Sequence, residues 1–144
     1  MDVLSIAILI FILMEGANVC LLYFAPGSRL GNGVGVFDAW DGSKQDENTH
    51  LFAKYLVDWV AGVKLIFIAL LVVILLLGDE RLKVYAVLAM ILSIATYFLK
   101  LHPTITLLDQ RGMITPAGYS RTLGLMIGGF LALFVGALVL HFVR

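Results

Sequence analysis

Apolar residues fill four long stretches of the chain, about residues 3–24, 56–77, 82–101 and 121–143, and polar residues gather between them. The first stretch covers 22 positions. At 1.5 Å per residue that is roughly 33 Å of helix, enough for the ~30 Å hydrocarbon core of a bilayer. The pattern predicts an all-α membrane protein with four transmembrane helices in an antiparallel bundle. It leaves no room for a separate soluble domain, so residues 1–144 read as one transmembrane domain without a linker.

Punctuation between the stretches predicts their ends. Ala25-Pro26-Gly27 stops the first span and opens a polar, glycine-rich loop over residues 25–50. The second helix is expected to begin near Thr49, ahead of its apolar stretch, with Asn48 or Thr49 as cap. Gly78-Asp79-Glu80-Arg81 makes a tight turn, which should set spans two and three side by side. His102-Pro103 is expected to close span three, leaving a second long loop over residues 102–120 on the same face as the first.

Composition supports this reading. The chain is 61% hydrophobic and 14% charged, with a mean hydropathy of +1.01, beyond the range of soluble domains. Net charge is zero and the basic residues are scattered, so nucleic acid is not an expected partner. The first span follows Met1-Asp2 with no basic leader and is too long for a signal-peptide core, so it is expected to be retained. Cys20, the single cysteine, reads as a packed or lipid-facing residue. Near the span ends, Arg29, Lys44, Lys54, Lys100, Arg111 and Arg121 stand on the long-loop face, against Arg81, Lys83 and Arg144 on the other. Six against three places the long loops in the cytoplasm and the protein in the cell (inner) membrane.

Glu15 interrupts the first apolar run. A carboxylate at the bilayer centre costs about 2.5–3.5 kcal/mol on insertion scales, so it marks a place where chemistry is expected. Counted from the long-loop face, Glu15 lies about nine residues deep and Lys64, on the second span, about eight. The match predicts that the two interact. Other polar groups fall in the same half of the membrane. Asn18 is one helical turn from Glu15, and Asp58 lies on the second span. Ser93, Thr96, Tyr97 and Lys100 form a stripe on the third. Either a polar pocket open to the long-loop face or a hydrogen-bonded network between helices would explain them. Asp58 and Lys64 sit about 120° apart around their helix, so they need not share one cavity.

Span four carries small residues at four-residue intervals, Gly124, Gly128, Ala132 and Gly136. Such a stripe lets helix backbones approach closely, within the chain or in a homodimer. Gly31-Asn32-Gly33-Val34-Gly35 lacks the features of a phosphate-binding loop and reads as a flexible turn leading Phe37 and Trp40 into the membrane interface. His50, His102 and His141 are too dispersed to predict a metal or haem site, and no cofactor or catalytic motif is evident.

Three function classes follow. The first is an accessory or scaffold subunit, or a module that binds a small lipid-like ligand. Its partners would be the bilayer and either a larger membrane protein or a second copy. The second rests on a resemblance: a glutamate midway along the first of four short spans resembles small multidrug-resistance exporters, which implies proton-coupled exchange of cations at Glu15. The resemblance covers one span, and the long first loop and Lys64 at the same depth depart from that family. The third is a membrane enzyme acting on a lipid or quinone, with Glu15, Asp58 or His102 as acid or base.

Overall fold

The computed structural model describes residues 2–143, so Met1 and Arg144, the latter counted above among the basic residues, lie outside the described residues. The described chain is helical apart from its connections. The helices are α1 (Val3–Phe24), α2 (Asp38–Ser43), α3 (Glu47–Leu77), α4 (Glu80–Ala95), α5 (Tyr97–Gln110) and α6 (Tyr119–Val143), with a 3₁₀ turn at Val34–Val36. Four helical segments are long and apolar enough to cross a membrane: α1, α3, α4 with α5, and α6.

Aspartates start three of these helices. The Asp2, Asp46 and Asp79 carboxylates accept from the backbone N–H groups of Ser5, Thr49 and Leu82, at 2.8, 2.9 and 2.8 Å. Each satisfies an orphan donor of the first turn and places negative charge at the positive end of the helix. The cap of α3 is therefore Asp46 rather than Asn48 or Thr49. At 31 residues, α3 is about 46 Å long, more than the ~30 Å thickness of a hydrocarbon layer.

The helix does not end at His102-Pro103. The break comes earlier, at Thr96, whose N–H and hydroxyl both donate to the Ser93 carbonyl, at 3.2 and 2.6 Å, tightening the last turn of α4. A new helix then runs through Pro103 to Gln110. Pro103 has no N–H to donate to the Leu99 carbonyl one turn back; one residue on, the Thr104 hydroxyl donates to the Lys100 carbonyl at 3.0 Å. The second connection thus shrinks to residues 111–118.

Packing centres on α1, which lies mainly against α3 and also touches α6 and α4, while α6 contacts α4 and α5. Contact between α3 and α4 is slight despite their tight turn. Toward the chain termini Leu4, Ile8, Phe11, Val87, Met90 and Phe134 form a closed core. Within it, Phe11 meets Phe130 edge to face at a centroid distance of 4.9 Å, an arrangement favoured by the ring quadrupoles. Burial does not follow apolarity among these helices. The most apolar, α3, has only 11% of its apolar stretch buried, against 44% for α1.

The two inter-helix connections meet over the other end. Phe37 and Ile114 form an antiparallel bridge, with Asp38 N–H donating to the Met113 carbonyl and Thr115 N–H to the Val36 carbonyl. The glycine run is therefore not a loose turn. A side chain on Gly35 would collide with the Gly27 carbonyl, and one on Gly33 with that of Ser28. The glycines let the strand fold back on itself. Trp40 does not lie at the surface as an interfacial residue would. It is 7% exposed, buried with Leu22, Val57 and Ala61.

Candidate functional site

Because α1 and α3 form the main helix interface, residues at equal depth on them meet. Lys64 Nζ donates to Glu15 Oε2 at 2.7 Å, and the two side chains are 24% and 17% exposed. Pairing is the usual way to reduce the cost of charge at membrane depth. The pair is shielded rather than sealed, and its remaining exposure is directed into two cavities.

Lys64 lines the larger cavity, of about 430 Å³, together with Asn32, Ser93, Thr96, Tyr97 and Thr104 among mostly apolar side chains. Glu15 lines the smaller, of about 230 Å³, with Asn18, Met14, Met126 and Phe130. Asn32, Leu123 and Ile127 line both. The ion pair therefore stands between two neighbouring chambers, with Lys64 in the wall of one and Glu15 in the wall of the other.

The roof is the first connection. Asn18, 8% exposed, accepts from the Asn32 N–H at 3.2 Å. The Tyr119 hydroxyl donates to the Gly31 carbonyl at 2.6 Å, and Gly31 takes a left-handed φ of 57° that favours glycine. Below it, Asp109 of α5 accepts from the Gly118 and Ser120 N–H groups and the Ser120 hydroxyl, at 2.9, 3.0 and 2.6 Å. That carboxylate caps α6 from a neighbouring helix and fixes the wall that carries Leu123 and Ile127.

Of the residues singled out in the sequence, Glu15, Asn18, Phe37, Lys64, Ser93, Thr96 and Tyr97 converge on these chambers. Asp58 and Lys100 line neither; Lys100 is exposed, and neither side chain has a polar partner among the described residues. Asp58 is turned aside by the 120° that separates it from Lys64. On α6, Gly124 packs against His102, where an added Cβ would lie 3.1 Å from the ring. Among the described residues nothing outside the helix's own nearby backbone lies within 4 Å of a Cβ placed on Gly128 or Gly136, and Ala132 is exposed. The stripe is thus a contact within the chain at its first member only.

Asn32, Thr104, Leu123 and Ile127 carried no signal in the sequence. Asn32 lies in a loop whose course only the fold reveals, and the others are ordinary helix residues. Among the described residues no three histidine, cysteine or acidic side chains converge as a metal site would need. The histidines have separate partners: His50 the Ser43 hydroxyl at 2.9 Å, His102 the Tyr97 hydroxyl at 3.4 Å, and His141 Glu80 at 3.5 Å.

At the opposite end, Lys83 donates to Asp2 at 3.2 Å. Burial pushes the Asp2 carboxyl up, but its Ser5 hydrogen bonds and Lys83 together outweigh this and hold it well below the usual carboxylate range.

No known protein family, curated protein or solved structure matches this chain.

Proposed function

We propose that the protein crosses the cell membrane four times as an antiparallel bundle, with its long connections in the cytoplasm, and holds a lipid-like small molecule in the paired chambers around Glu15 and Lys64. The observation that carries this reading is the ion pair itself, set between two largely apolar cavities roofed by a tied-down loop. A structural ion pair gains nothing from adjoining open chambers, whereas binding sites combine apolar walls with a few placed polar groups. That the most apolar helix is the least covered supports insertion in lipid, which takes the place of a protein neighbour.

The pair argues against cation exchange at Glu15. A substrate cation would have to displace Lys64 from a carboxylate 2.7 Å away. Acid or base catalysis is less favoured for the same reason, since the carboxylate that would move a proton is already engaged by the Lys64 ammonium.

Ile127 lines both chambers, so Ile127→Trp should fill them without touching the pair. Protein purified in mild detergent should yield a near-stoichiometric amphiphile in its organic extract, and the variant at least fivefold less. Equal amounts from both, or none from either, would refute the proposal.

A further inference from the structure

Building on the reading that the chambers hold an amphiphile, we infer its chemical class. The larger cavity accepts an uncharged molecule whose carbonyl oxygen takes a hydrogen bond from Lys64, as a quinone ring or a fatty-acyl ester would.

Lys64 carries three N–H donors, and Glu15 is its one polar partner among the described residues. Lys64 lines the larger cavity and Glu15 the smaller. The larger cavity is therefore lined by a residue with a charged donor, and its lining includes no acidic side chain. Thr96 and Thr104 already direct their hydroxyl hydrogens to backbone carbonyls, and Tyr97 faces His102. Lys64, Asn32 and Ser93 remain as donors, and a carbonyl is the group that answers them.

Charge narrows the choice. The pair is neutral as a unit, so a carboxylate or phosphate would bring an uncompensated negative charge to membrane depth, where charge is costly. A cation would meet Lys64. Depth points the same way: Lys64 is 17 residues from the start of α3 and 13 from its end, far from where a phospholipid headgroup resides. A neutral carbonyl on an apolar body already dissolves in the bilayer interior and loses little by entering. A volume of about 430 Å³ falls within the range of small-molecule sites.

The test is titration of the full chain in detergent with decylbenzoquinone, dioctanoylglycerol, decane and decanoate. At least one carbonyl probe should bind about 10-fold tighter or more than decane and decanoate, as a hydrogen bond from a charged donor allows. The tighter of the quinone and the ester names the source. Exchanging the pair, Glu15→Lys with Lys64→Glu, keeps the ion pair but turns a carboxylate to the larger cavity. It should weaken the carbonyl probe at least 10-fold. Should that variant not fold, the infrared carbonyl band decides: with wild-type protein it should move to lower frequency than in empty micelles. Decane binding as well as the carbonyl probes, decanoate binding tightest, an exchange variant with undiminished affinity, or an unmoved band would each overturn the inference and leave amphiphile binding standing. Failure of every probe to bind would remove the amphiphile reading itself.

Discussion

Asn18 holds the backbone N–H of Asn32 across 3.2 Å, so the helix that carries Glu15 also ties down the loop that roofs both chambers. The two asparagines lie 14 positions apart. The link couples the depth of the charged pair to the closure of the site above it.

Asn18→Leu should loosen that roof. It leaves the N–H of the exposed Asn32 without its protein acceptor, a loss of about 0.5–1.5 kcal/mol because water can take up the donor. Hydrogen exchange at Asn32 and Gly33 should accelerate, while exchange in the terminal core around Phe11 and Phe134 stays unchanged. Uniform acceleration would mean that Asn18 supports the whole bundle instead.

Gly124 and Gly128 should separate cleanly. Gly124→Leu drives a side chain into His102 and should lower thermal stability by about 1–3 kcal/mol, as overpacking does. Gly128→Leu meets open space and should change the monomer's stability by less than about 0.5 kcal/mol. Cross-linking at natural abundance then reads the homodimer alone. If Gly128→Leu abolishes a cross-linked dimer without altering the melting of the monomer, this face joins two copies.

Asp2 gives a pH signature. Its folded carboxyl lies below the ordinary value of 3.8, so the ionised form contributes stability that is fully present above that value. The contribution is lost as pH falls from there toward the folded pKa. Melting temperature should therefore drop more steeply between pH 5 and about pH 3 in wild-type protein than in Asp2→Asn. Parallel slopes would show that the Lys83 and Ser5 contacts do not favour the ionised form.

Much of the helical plan was legible because long apolar stretches have few other uses. Depth arithmetic reached the Glu15–Lys64 contact because helix rise is constant and α1 and α3 happen to be the main packing pair. Asp58 and Lys100 shared only the same half of the membrane with Glu15 and Lys64, and the 120° between Asp58 and Lys64 had already set Asp58 apart. Pro103 misled because a proline removes one hydrogen bond without always ending a helix, and the break falls instead at Thr96, which bonds the Ser93 carbonyl twice. The small-residue stripe read as one feature, yet only Gly124 packs within the chain. The roof was out of reach, since bonds such as Tyr119 to Gly31 and Thr115 to Val36 join residues about 80 positions apart and leave no local pattern. Asp109 capping α6 across a turn is a nearer case of the same kind.

The central claim is that an acid on α1 and a base on α3 stabilise each other at membrane depth. It is tested most directly by a double-mutant cycle on thermal unfolding, with Glu15→Leu, Lys64→Met and the two combined. Removing either partner alone leaves a shielded charge unpaired and should cost about 3–5 kcal/mol, while the double variant should return close to wild-type stability. Single losses that simply add in the double variant would contradict the account.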